Sequence, residues 1–315
     1  MSATDRMEHR KITGISTNSS AQSMVAGELE AMFLPSHGMI GVSLRHRGVE
    51  LLRRIEDIDT LAANGSAAGI PLLHPWANRL AEYRYHAAGR EVVLDQTSPL
   101  LRHDEQGLPI HGVPWSMLDW SLIETGETRV VAQLAWNQSE RLSIFPYPHQ
   151  LEMVVLLEPE GLTIETTLTA DKDAAVPVSF GFHPYFGLPA LPRSKWRLTL
   201  PAMRKLVLDH YGIPTGKEEP INGIDAELGE HDIDQGAMLL EESRSLSLTG
   251  GGRKISLELL KGYQYVQVFA PRSQDYIALE PMTAPTNALK SGIGLTIVEP
   301  GARYQAAFRI CVENR

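Results

Sequence analysis

Apolar residues recur at alternate positions in short runs along most of the chain, with Gly, Pro, Asn and Asp between the runs. In Leu162-Thr-Ile-Glu-Thr-Thr-Leu168 the alternation holds until it slips at Thr167, the pattern of a strand with one buried and one solvated face. A helix over the same residues would bury the wrong ones. Similar β character marks Leu29–Leu34, Val92–Leu94, Arg129–Ala135, Leu151–Leu157, Trp196–Leu200, Ser245–Leu248, Lys254–Leu260, Tyr263–Phe269, Tyr276–Leu279 and Ala302–Val312. About a dozen short strands, with few long amphipathic helices to cover a parallel sheet, predict an all-β fold of large antiparallel sheets packed face to face. Helical turns such as Ile55–Ala62 are expected only as decoration of loops.

Composition narrows this picture. The 315 residues are long for one domain, yet large all-β folds often reach such lengths undivided, and 43% hydrophobic residues suffice for an extended core. The 26 Gly and 20 Pro are dispersed as turn punctuation, with no repeat and no linker. The expected organisation is a polar N-terminal arm over residues 1–22, mobile or added as an edge strand, and a single domain over residues 23–315. A net charge of −9 without acidic or basic runs gives no footprint for nucleic acid or for an anionic membrane, and a neutral small molecule suits it better. The lone Cys311 rules out an intramolecular disulfide and a multi-cysteine zinc site. With no apolar leader and no run of about 18 apolar residues, a cytoplasmic protein is expected, as a monomer or homodimer.

Four segments set polar residues among aromatics and prolines: residues 71–80 (PLLHPWANRL), 110–115 (IHGVPW), 180–187 (FGFHPYFG) and 278–287 (ALEPMTAPTN). Aromatic faces pack on the C–H face of a sugar ring, while amide, guanidinium and imidazole groups satisfy its hydroxyls. Each residue has a plainer reading beside this one. A lone histidine is usually structural, an arginine usually pairs at the surface, and Trp76, Trp115, Tyr185 and Phe186 serve as readily in core packing. Glu280 is more suggestive, since a carboxylate ending the apolar run Tyr276-Ile-Ala-Leu279 is partly desolvated, although a strand-end salt bridge would explain it too.

Together the four segments resemble the aldose 1-epimerase (galactose mutarotase-like) family. The residues that carry the likeness are Asn78-Arg79, His111-Gly112, His183-Pro184-Tyr185-Phe186, Glu280-Pro281 and Asn287-Ala288, in the family's order. A terminal Gly294-Leu295 to Glu299-Pro-Gly301 segment extends the likeness over roughly residues 28–312. The resemblance implies a β-supersandwich with the sugar in a cleft on the sheet surface and with no cofactor or metal. It implies His183 as general acid and Glu280 as general base, with Asn78, Arg79, His111, Tyr185, Asp234 and Gln267 as sugar contacts. Asp232 competes with Asp234 for its place.

Interconverting α and β anomers requires ring opening, rotation about C1–C2 and closure on the other face. A base takes the anomeric hydroxyl proton while an acid protonates the ring oxygen, so the two groups are expected to straddle the anomeric centre. Burial should raise the pKa of Glu280, and a nearby carboxylate should favour charged His183. The departures His74-Pro75-Trp76 and Met282-Thr283-Ala284-Pro285 leave the sugar open. A hexose-6-phosphate 1-epimerase, with Arg45, Arg47, Arg53 and Arg54 as a source of charge, and a noncatalytic carbohydrate-binding module are the alternatives. A module has no need of a paired acid and base.

Overall fold

The computed structural model describes residues 21–64, 67–240 and 244–315. Its frame is two large antiparallel sheets. One runs, edge to edge, through Ile224–Glu227, Arg197–Leu200, Ser245–Gly250, Arg253–Lys261, Arg303–Asn314, Gly161–Ala170, His149–Glu158, Arg129–Trp136 and Ser121–Thr125. The other runs through Pro214–Ile221, Met203–Leu208, Ile233–Leu239, Tyr265–Ala270, Ile277–Met282, Gly181–Phe182 and Leu72–Leu73, with Tyr185–Phe186 also paired to Ile277–Met282. The helices among the described residues are short, Ile58–Ala63, Ser139–Ile144 and Ala288–Ser291. The chain is all-β, with the large antiparallel sheets that the alternation predicts and the supersandwich that the resemblance implies.

Period-two patterning explains the core. In His149–Glu158, Leu151, Met153, Val155 and Leu157 are buried, and across the ladder they meet Leu168, Thr166, Ile164 and Leu162. The alternation in this second strand does not slip: Thr166 takes the inward place and is 0% exposed. Phe308, on the long strand near the middle of the first sheet, packs against Phe182 and Tyr263, with ring centres 5.1 and 5.8 Å away. Phe182 belongs to the second sheet, so this contact joins the two layers.

Two sequence expectations shift. The edge strand starts at Gln22, within the expected arm, and pairs with Leu29–Leu34. Its buried positions are Met24 and Ala26, whose modest apolarity hid the alternation. The remainder of the expected arm, residues 1–20, lies outside the described residues. The helical turn also falls slightly later, at Ile58–Ala63, where the Asp57 carboxylate caps the backbone N–H groups of Asp59 and Thr60.

No helix among the described residues is long and apolar enough to cross a membrane. Replacing Phe308 with Ala should lower unfolding free energy by about 3–5 kcal/mol, measured by chemical denaturation, because the cavity would open between the two sheets where neither backbone can collapse into it.

Candidate active site

The second sheet aligns the polar side chains by register. Glu280 sits in Ile277–Met282, directly opposite Gln267 of Tyr265–Ala270. On the other side, Gly181 pairs with Met282 and Tyr185 with Ala278, which brackets His183 opposite Glu280. His183, Glu280 and Gln267 therefore form one row across the sheet, and directly opposed side chains share a face. The next strand continues the row with Gly236, and Asp234 lies two residues along on the same face. Alternate residues of these strands, Val266, Val268, Ile277 and Leu279, point into the core.

His183 Nε2 lies 3.2 Å from Glu280 Oε1, with side-chain exposures of 8% and 2%. Among the described residues, buried Glu280 Oε2 has no hydrogen-bond partner, and His183 Nδ1 has none either. Burial pushes the Glu280 pKa well above its ordinary value; the Asp234 carboxylate raises it further, and Arg79 opposes the rise. Burial pulls His183 down to about 3, with Arg102 adding to the decrease. The direction expected for Glu280 is found. For His183 desolvation wins over the neighbouring carboxylate, because the pair touches in a place almost without water. The two side chains touch, and the expected gap for an anomeric centre between them is absent.

The remaining predicted residues connect to this pair. The His183 ring stacks on Tyr185, 4.2 Å between centres and 13° between planes, and meets His111 edge-on at 5.7 Å. His111 Nδ1 accepts from the Asn78 backbone N–H at 3.1 Å, which leaves the ring proton on Nε2. Burial, followed by the nearby His183, holds its pKa well below the ordinary value. The Asn78 side-chain carbonyl accepts from the Arg79 backbone N–H and from Arg79 Nη1. Gln267 Nε2 donates to Asp234 Oδ1, whereas Asp232 accepts from the Arg272 backbone N–H and pairs with its guanidinium. Asp234 is thus joined to the row and Asp232 is not. The open side of the cluster is formed by partly exposed His111 and Arg79 and by exposed Asp234.

The loop wall is rigid and strained. Asn78, His111 and Asn287 all have left-handed backbones, with φ of 58°, 61° and 66°. Each such residue costs about 1 kcal/mol or more and persists only where its surroundings fix it. Here His111 N–H donates to the Asn78 carbonyl, Asn287 N–H donates to the Arg79 carbonyl, and the Asn287 side chain accepts from Ala81 N–H. Gly112 also has a positive φ, and a Cβ there would come 2.4 Å from the His74 carbonyl oxygen. Glycine is therefore required at position 112 for the close approach of the two loops.

Sequence reasoning missed two neighbours. Asp104 Oδ2 accepts from Arg79 Nε at 2.7 Å, while its other oxygen accepts from the N–H groups of Gln106 and Leu108. Arg102 lies close enough to influence His183, His111 and Tyr185. Both sit in Arg102-His-Asp-Glu105, a charged run that reads as a solvated loop; the Asp104-Glu-Gln-Gly107 turn was the available signal. Trp76, Trp115 and Phe186 are core residues, 0%, 3% and 0% exposed. Among the described residues no group of three or more His, Cys, Asp or Glu is arranged to hold a metal ion.

Comparisons with known proteins bear on the family and the fold. The uncharacterized protein YihR of Escherichia coli K12 is 27% identical over 258 residues, covering 76% of this chain and 80% of that protein. The fold is similar to that of a galactose mutarotase-like protein from Clostridium acetobutylicum, with a TM-score of 0.82 at 18% identity over 93% of this chain and 95% of the other. It is also similar to a putative aldose 1-epimerase from Escherichia coli K12, with a TM-score of 0.75 at 18% identity over 94% and 99% of the two chains. The model of the aldose 1-epimerase family matches residues 28–311, and the chain belongs to that family.

Proposed function

We propose that the protein is an aldose 1-epimerase that interconverts the anomers of an aldose by proton transfer between His183, Glu280 and the sugar. The observation that carries this reading is the buried 3.2 Å contact between the two side chains, with Glu280 Oε2 left unpartnered. A polar atom buried without a partner is costly, and a sugar hydroxyl is the kind of donor that would satisfy it.

The proton inventory fits the reaction. Desolvation favours uncharged side chains, so the pair's one proton rests on Glu280 and passes to His183 across the 3.2 Å contact for the reaction. With the proton on His183, Glu280 accepts the proton of the anomeric hydroxyl as His183 Nε2 donates to the ring oxygen and the C1–O5 bond breaks. The products are the open-chain aldehyde, neutral His183 and protonated Glu280. After rotation about C1–C2, Glu280 returns its proton to the carbonyl oxygen and His183 recovers the proton of the C5 hydroxyl as the ring closes on the other face. Both directions use the same two groups, and sugar hydroxyls that donate to the carboxylate favour the form with the proton on His183.

The surroundings suit fixed recognition. His111 Nε2–H and the Arg79 guanidinium supply donors, and Asp104 and Asn78 hold the guanidinium in place. Gln267 and Asp234 form a second polar edge on the far side of Glu280. Tyr185 backs the imidazole with its ring and fixes its tilt.

Glu280→Gln and His183→Asn should each lower kcat by about a hundredfold to ten-thousandfold, with a smaller change in KM, in anomer exchange followed by NMR. Near-normal turnover in both variants removes the pair from its assigned role, and binding without acceleration favours a carbohydrate-binding module. The pH profile is a separate check. A second proton, which would disable the base, reaches His183 only near about 3, and the shared proton leaves only well above the ordinary carboxylate value. The acid limb of kcat/KM, after subtraction of spontaneous mutarotation, should therefore lie far below the roughly 6.5 of a free histidine. An acid limb at that ordinary value would contradict the buried neutral pair.

A further inference from the structure

The arginines near the first strands separate into two kinds. Arg45 pairs with Glu50 at 3.3 Å and Arg47 with Glu28 at 2.8 Å. Arg53 donates to the Ala67 carbonyl at 2.9 Å, and its guanidinium carbon lies 4.8 Å from the Tyr276 ring centre and 5.9 Å from that of Tyr185. Tyr185 is the ring stacked on His183, so Arg53 stands one aromatic layer from the proton-transfer pair. Past Tyr276 opens a cavity of about 860 Å³ with Arg53 and Arg54 in its wall.

A second guanidinium approaches the same tyrosine from another loop. The Arg102 carbonyl accepts from Ile110 N–H at 2.9 Å, which sets Arg102 beside His111. Its side chain is partly buried and, among the described residues, makes no ion pair and no hydrogen bond. Burial lowers its pKa, and the opposing contribution comes from Tyr185 rather than from a carboxylate. The nearby acids are engaged or remote. Asp104 holds Arg79, and Glu50 accepts from Ser43 and from the N–H groups of Leu44 and Leu52. Asp275 is exposed in the cavity wall.

A partly desolvated guanidinium is costly without a counter-anion, and among the described residues Arg79 is paired with a carboxylate while Arg102 and Arg53 have none. Two such groups beside one tyrosine make a local positive pole, although the chain as a whole carries −9. The geometry points to an aldose that carries an oxyanion on its carbon chain, held beside Tyr185 by the guanidinium groups of Arg102 and Arg53 while C1 lies at His183 and Glu280. The inference rests on the epimerase reading above and adds the charge class of the substrate.

The test is anomer exchange by NMR on matched sugars, glucose against glucuronate and against glucose 6-phosphate. The expected kcat/KM is about tenfold or more higher for an anionic member than for its neutral counterpart, and the advantage shrinks with added salt. Arg102→Gln and Arg53→Gln should each cut that ratio by about tenfold. The arm that shows the advantage tells carboxylate from phosphate. Equal turnover of neutral and anionic sugars by the unaltered protein, or a ratio unchanged in both variants, overturns the inference and leaves the epimerase reading standing. If no sugar is turned over, the epimerase reading fails instead, and ligand-observed NMR binding of the same pairs decides the anion site. Preference for the anionic sugar, lost in Arg102→Gln, sustains it; no preference overturns it.

Discussion

Exclusion of water from one histidine–carboxylate contact is the constraint around which the site is organised. In water, His183 and Glu280 would titrate as ordinary groups, with the carboxylate ionised at neutral pH. At the floor of this site each is driven toward its neutral form, so the proton they share rests on Glu280, in contact with the imidazole. Such a pair is a poor source of stability, since desolvation consumes most of what the contact returns. In the proposed reaction its use is chemical, since two touching groups that share one proton can serve both directions.

Holding that pair requires rigidity on two sides, and the fold supplies it in different ways. Below, strand register fixes His183, Glu280 and Gln267 in a row, backed by core residues such as Val266, Val268 and Leu279. Above, the loops are fixed by hydrogen bonds between left-handed Asn78 and His111 and by those of left-handed Asn287 to Arg79 and Ala81. Neither arrangement has much freedom to relax alone. A one-residue slip in the sheet would send Glu280 into the core, and loss of the loop contacts would leave strained residues without support.

The arginines around the proposed sugar site differ in how they are neutralised. Arg79 is bound by Asp104 and Asn78 and can act as a fixed donor with little net charge. Arg102 and Arg53 keep theirs. The distinction matters more than the number of arginines, because charge inside a cleft is felt over a longer distance than charge at the surface.

Much of the fold was legible in the chain because strand patterning is local. Alternation in Leu162–Leu168 and its counterparts already demands paired sheets with a common core, whatever their order. The residues of the site were legible as types, through Asn78-Arg79, His111-Gly112, His183 to Phe186 and Glu280-Pro281, and the structure gathers all of them with Asp234 and Gln267. Their separation and protonation were not, since a pKa is set by the water that neighbours exclude, and those neighbours lie far away in sequence. Arg102 and Asp104 were hidden for the same reason: a charged loop looks solvated until tertiary packing decides which of its side chains turns inward and which finds a partner.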